Sequence, residues 1–292
     1  MRRWITAVAV AAGGTIAAAQ VVPAPQAQFS AAADLVEVYA TVTDAGGEPV
    51  TGLRADDFDV FENGRPQDVS AFAAGELPLT VALGIDRSWS MKGEPLTLAK
   101  RASQAFLRAL KPADRSLVLA ISADAEVVAP LSTDRFAQSR AIDKLDPWST
   151  TSLHDAIIAA LDRLEPEPGR QALIVFSDGT DRYSTATAAQ VVERARRSNA
   201  LIYPIAFGRT RPPLLAELAV LTGGRSFQLR DARGLEPTLA AIARELRSQY
   251  LLGYAPADAF ERGRREWRSI RVALKNPKPG MRVRARDGYT TE

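Results

Sequence analysis

Residues 82–93 read ALGIDRSWSMKG. An apolar run ends in Asp86, and Asp86, Ser88 and Ser90 then recur at every second position. Uninterrupted apolar runs of this kind are buried strands of a parallel sheet. In open parallel sheets, ligands bind outside the carboxyl ends of the strands. A loop there that aims one carboxylate and two hydroxyls the same way offers only hard oxygen donors. Such donors suit Mg²⁺, Mn²⁺ or Ca²⁺ and suit Zn²⁺ or Cu²⁺ poorly.

The surrounding sequence repeats the pattern. LTVALGI, SLVLAIS, ALIVFSDG, ALIYPIAFG and RSFQL read as strands, with AEVVAPL a short one. Helical stripes lie between them. Leu98, Ala102, Ala105, Phe106, Ala109 and Leu110 make the first, and Leu153, Ala156, Ile157, Ala160, Leu161 and Leu164 the next. TAAQVVERARRSN reads as a helix; Leu214, Leu218 and Leu221, then Leu235, Leu239, Ile242 and Leu246, mark two more. Alternating strands and helices over residues 77–248 predict a doubly wound, mostly parallel α/β sheet covered on both faces.

The flanks read differently. In residues 29–76, Val36, Val38, Ala40 and Val42 alternate with Glu37, Tyr39 and Thr41, and Asn63-Gly64 signals a hairpin. In residues 249–292, YLLGYAP, EWRSIRVALK and MRVRARDGY read as strands. Neither flank makes a comfortable core alone. Together they predict a split antiparallel β-sandwich into which the α/β unit is inserted.

Residues 1–28 carry Arg2 and Arg3, an uncharged apolar run and small residues before Gln20, the layout of a secretory signal peptide. The formal net charge is +3, so the chain without this segment is near neutral. No later stretch is long and apolar enough to span a membrane. There is no cysteine and only one histidine, His154, which leaves no material for thiolate or imidazole metal sites. No nucleotide-binding GxxxxGK[ST] loop and no GxSxG elbow occur, and His154 has no triad around it. Arg264, Arg265, Arg268, Arg271, Arg282, Arg284 and Arg286 read as a solvated sheet face. Nothing points to a nucleic-acid partner.

Two further strand ends carry oxygens. IVFSDGTD places Asp178 at the end of a strand, and PWSTTSLHDAI offers Thr150 and Thr151 ahead of a helix. DRSWS, a threonine before SLHDAI, and SDG closing a strand resemble the von Willebrand factor A domain. TVTDAGGEPVTGLRADDFDVFENGRPQDVSAF and the closing YLLGYAP, WRSIRVALK and VRARDGYTTE look like its bacterial VWFA-related group. The resemblance covers nearly the whole chain after the signal segment. It implies a metal-ion-dependent adhesion site made by Asp86, Ser88, Ser90, Thr151 and Asp178, binding Mg²⁺ (or Mn²⁺ or Ca²⁺). It implies an open coordination position that takes an acidic residue of a protein partner. Trp89 stands where the family usually has a small residue; its indole either narrows the open face or anchors a contact. Arg87 and Asp181 are the other candidate rim residues, with Arg182 beside them. The expected function is ion-dependent protein binding in the periplasm or outside the cell, without catalysis. A secreted metal-dependent hydrolase is the alternative, though no general base is evident; a structural envelope module is another.

Overall fold

A computed structural model describes residues 35–75, 77–177, 180–208, 212–258 and 265–291. The signal segment expected at 1–28 lies outside the described residues. The chain opens with β1 (Val36–Thr43), β2 (Phe58–Glu62), β3 (Arg65–Gln67) and β4 (Val69–Ala74). Asn63 and Gly64 take positive φ, 48° and 79°, and close the β2–β3 hairpin as their sequence predicts.

The α/β unit follows. It comprises β5 (Leu79–Asp86), α1 (Glu94–Ala109), β6 (Arg115–Ile121), β7 (Ala125–Ser132), α2 (Arg135–Asp143) and α3 (Leu153–Leu164). Next come β8 (Arg170–Ser177), α4 (Ala188–Arg196), β9 (Leu201–Phe207), α5 (Pro213–Thr222), β10 (Phe227–Leu229) and α6 (Leu235–Arg247). Its sheet runs β10-β9-β8-β5-β6-β7, parallel except for β7. All eight residues of β5 are buried, as are all eight of β8, which explains their unbroken apolar runs. Helices α1, α2 and α6 cover one face, and α3, α4 and α5 the other. Strand order reverses beside β5, so the ends of β5 and β8 form the topological switch point.

The chain then returns to the flanking sheets through β11 (Tyr250–Tyr254), β12 (Trp267–Leu274), β13 (Arg282–Arg284) and β14 (Gly288–Thr290). Among the described residues the flanks make two four-stranded sheets, β13-β1-β11-β4 and β14-β12-β2-β3, each drawing strands from both ends of the chain. Their shared core holds Val36, Val38, Ala40, Val42, Phe58, Val60, Leu252 and Ile270. The rings of Phe58, Phe72 and Tyr250 pack within it, with Phe58 and Tyr250 centroids 5.1 Å apart.

Two sequence expectations are corrected. The single strand expected in MRVRARDGY is two, β13 and β14, which join different sheets. The arginines are a solvated face only in part: Arg265, Arg271 and Arg282 are exposed, but Arg268 is buried against Glu62, and Arg284 pairs with Glu245 at 2.6 Å. The second face of β1 is also covered. Tyr39, Leu251 and Ala73 lie abreast across β1, β11 and β4 and pack into the α/β core, so the β13-β1-β11-β4 sheet is the middle layer. Residues 34–292 form one compact unit.

Burial holds the hydroxyls of five tyrosines, Tyr39, Tyr203, Tyr250, Tyr254 and Tyr289, above their ordinary range near pH 10. Glu37 adds to this at Tyr39, Glu245 at Tyr203, and Glu62 at Tyr254 and Tyr289. A phenol whose folded pKa is raised binds its proton more tightly than the unfolded chain does. Its stabilising contribution is complete below pH ~10 and is lost as pH rises toward the folded value. Arg170 and Arg286, lowered by burial to about 10, and Arg135, also lowered by burial, act oppositely at high pH, but three groups stand against five. Stability should therefore fall steeply above pH ~10. Tyrosinate absorbance should appear together with loss of tertiary circular dichroism. Five phenols titrating normally in the folded protein would contradict this.

Candidate metal centre

Asp86 is the last residue of β5 and is fully buried. Its Oδ2 accepts a 2.5 Å hydrogen bond from the Ser177 hydroxyl at the end of β8. Its Oδ1 accepts from the Ser88 backbone N–H at 2.8 Å, which turns the chain sharply after the strand. That turn brings the Ser88 and Ser90 hydroxyl oxygens to 2.9 Å from each other. Ser88 is buried and Ser90 exposed, so the pair leads from the carboxylate toward solvent.

The second loop is bonded to the first. Trp89 N–H donates to the Ser149 carbonyl at 3.1 Å, and Trp148 N–H donates to the Arg87 carbonyl at 2.7 Å. Ser149 takes a left-handed φ of 56° at this junction. Ser152 N–H then donates to the Ser122 carbonyl, placing the buried Thr151 at the cleft. The third loop closes on Thr151, whose carbonyl accepts from the N–H groups of Arg182 (3.0 Å) and Tyr183 (3.2 Å). The three loops surround an open cleft of about 400 Å³ lined by Ser88, Trp89, Ser90, Ser149, Thr150, Thr151 and Arg182. Asp178, the fifth expected donor, lies outside the described residues.

The rim is not what the sequence alone suggests. The Arg87 side chain leaves the cleft and pairs with Glu126 at 2.9 Å. Asp181 turns inward: its Oδ1 accepts from the His154 N–H (3.1 Å) and the Ser184 hydroxyl (2.6 Å). Ser184 in turn accepts from the Asp155 N–H at 3.1 Å. These contacts cap the first turn of α3 from across space, where anions are favoured. No side chain from its own N-cap residue, Ser152, does so. The Asp155 carboxylate returns the interaction by accepting from the N–H groups of Thr185 and Ala186. His154 Nδ1 faces the Ala186 carbonyl at 2.9 Å, so its ring holds the third loop. Of the candidate rim residues, Trp89 and Arg182 line the cleft. Sequence reasoning missed the brace formed by Ser177, Asp155 and Ser184. A hydroxyl ending the strand before Asp178 was the signal for Ser177.

Among the described residues no group of three or more His, Cys, Asp or Glu stands together as a metal cluster. The oxygens gathered here are chiefly hydroxyls around one carboxylate.

Residues 81–180 match the family model of the von Willebrand factor type A domain. A UPF0353 protein of Mycobacterium leprae is 26% identical over 213 residues, which are 61% of this chain and 63% of that protein's length. A von Willebrand factor type A structure from Catenulispora acidiphila superposes with a TM-score of 0.55 at 14% identity, over 87% of this chain and 73% of that one. Proximal thread matrix protein 1 from the mussel byssus superposes with a TM-score of 0.53 at 16% identity, over 64% of this chain and 51% of that one. Over residues 81–180, which hold most of β5, all of β8 and the first two loops of the cleft, this chain is similar to a von Willebrand factor type A domain.

Proposed function

We propose that the protein binds a protein partner, without catalysis, through a divalent cation held by Asp86, Ser88, Ser90, Thr151 and Asp178. The observation that carries this is the 2.9 Å separation of the Ser88 and Ser90 hydroxyl oxygens above a buried carboxylate. The two hydroxyls are hydrogen-bonded to each other at this distance, which is also about the spacing of adjacent ligands around an octahedral Mg²⁺, each ~2.1 Å from the ion. The oxygen-only donor set fits Mg²⁺, Mn²⁺ or Ca²⁺. When bound, the ion supplies an electron-poor centre with a position for a partner's acidic side chain. The residues do the rest: Ser177 and the Ser88 amide fix the Asp86 carboxylate, and Asp181 with Ser184 holds the loop that follows Asp178. The signal-peptide-like layout of residues 1–28 supports placing this activity in the periplasm or at the cell exterior. Among the described residues no helix is long and apolar enough to cross a membrane.

Saturating Mg²⁺ should raise the melting temperature, because a ligand at 100 times its Kd stabilises the folded state by about 2.7 kcal/mol. Asp86→Ala and Asp178→Ala should abolish the shift and leave the far-ultraviolet circular dichroism unchanged. If the wild type ignores both Mg²⁺ and Mn²⁺, or both variants respond as it does, the site assignment fails.

A further inference from the structure

Each of the three loops around the cleft carries one large aromatic side chain in solvent. Trp89 on the first is 58% exposed, Trp148 on the second 59%, and Tyr183 on the third 68%. These are three of only six large hydrophobic side chains exposed among the described residues. Trp89 lines the cleft, and Trp148 and Tyr183 are the chain neighbours of the lining residues Ser149 and Arg182. All three donate their backbone N–H into the bonds that join the loops, at 3.1, 2.7 and 3.2 Å. The rings therefore stand on a braced base and lose little backbone freedom when a partner covers them. Exposed apolar side chains concentrated at one place mark an interaction surface. Trp and Tyr are also the residues that anchor protein interfaces.

The charged side chains nearest the cleft opening are basic. Arg182 is the only charged residue among the described lining of the cleft, and the Lys92 ammonium lies 5.6 Å from the Trp89 ring centroid. Arg87 is neutralised by Glu126 and contributes nothing here. The occupant is therefore acidic. Lys92 covers the Trp89 ring, which leaves less of the flat open face on which a sugar would stack and favours irregular apolar side chains.

Resting on the ion-dependent reading above, we infer that Trp89, Trp148 and Tyr183 form an aromatic collar that docks an acidic segment of a partner protein. In that segment, large apolar or proline side chains flank the carboxylate. The collar sets which acidic segments bind, and the ion site sets that an acid is needed.

The test pans phage-displayed random dodecapeptides on the full chain in Mg²⁺ and measures the affinity of the best synthetic peptide for the variants. Enriched peptides should place Asp or Glu next to Pro, Leu, Phe or Trp. Trp89→Ala and Trp148→Ala should each weaken binding at least tenfold, and Tyr183→Ala severalfold. All three variants should keep the full Mg²⁺-dependent thermal shift, which also shows that they fold. A wild type without that shift overturns the ion reading. A normal shift overturns the collar alone in any of three cases: binding to the aromatic variants within twofold of wild type, no enrichment of apolar-flanked acids, or binding of acidic glycans on an array in place of peptides.

Discussion

Replacing Glu62 by alanine should destabilise the protein by about 3–5 kcal/mol, the usual cost of removing one partner from a buried ion pair. Glu62 ends β2, is almost completely buried, and accepts from Arg268 on β12 at 2.9 Å. Its other oxygen accepts 2.8 Å hydrogen bonds from the hydroxyls of Tyr254 on β11 and Tyr289 on β14. One carboxylate thus joins both sheets of the sandwich. Alanine leaves the Arg268 guanidinium buried beside two phenols that have lost their acceptor. The melting temperature should drop by roughly 6–20 °C. Glu62→Gln keeps an acceptor and the volume and should lose less. The double variant Glu62→Leu/Arg268→Met removes both charges and should be more stable than Glu62→Ala. Thermal denaturation of the four proteins decides it. A cost below about 1 kcal/mol for Glu62→Ala would remove the cluster from the forces that hold the sandwich closed.

That cluster could not be read from the sequence, because Glu62 and Arg268 are 206 residues apart and neither lies in an apolar stripe. What was legible is what one period of burial controls. The stripe of α3 from Leu153 to Leu164 is buried as its spacing predicts, and β5 is apolar because sheet and helices bury both its faces. Helix α1 shows where the same logic slips. Its buried face is Leu96, Ala99, Ala102, Ser103, Phe106 and Leu107, rotated from the stripe through Leu98, Ala105 and Ala109. Ser103 hides that face from an apolar count, since its hydroxyl is satisfied inside the helix by the Ala99 carbonyl at 2.7 Å. Helix α2 gives no stripe at all. Its buried positions are Ile142 and Gln138, and Gln138 is bonded to Ser116, Ser132 and Arg135.

The candidate site divides the same way. Asp86, Ser88 and Ser90 are legible because a strand end and a two-residue repeat suffice to place them. Rim residues depend on which way a loop turns after the strand. Asp181 is drawn inward by the unsatisfied N–H groups at the start of α3, and Arg87 is drawn off by Glu126 on β7. The aromatic residues of the collar look like ordinary loop residues until the hydrogen bonds bring Trp148 and Tyr183 beside Trp89.

The joint between the sandwich and the α/β unit should prove equally sensitive, at Arg170. This side chain, the first of β8, is fully buried, and burial together with the like charge of Arg247 lowers its pKa to about 10. Its guanidinium donates to the Leu77 carbonyl, where the chain enters the α/β unit, and to the Leu246 carbonyl, where it leaves. The polar contacts continue beside it. Gln249 donates to the Thr41 hydroxyl at 3.1 Å, Tyr203 donates to Glu245 at 2.9 Å, and Glu245 pairs with Arg284 of β13. Arg170→Met keeps most of the volume and abandons both carbonyls, at about 1–3 kcal/mol each. Relief of the buried charge works in the opposite direction, so the measured sign tells which effect dominates. We expect the carbonyls to dominate, with a loss of about 2–5 kcal/mol. Arg170→Ala adds a cavity and should lose more. With the two crossings released, limited proteolysis should cut near residues 75–78 and 247–249 well before the rest of the chain opens. Calorimetry should resolve two transitions where the wild type shows one. If Arg170→Met melts within about 1 kcal/mol of wild type in a single transition, the hydrophobic row of Tyr39, Leu251 and Ala73 and the remaining polar contacts suffice to join the two parts, and Arg170 is not what couples them.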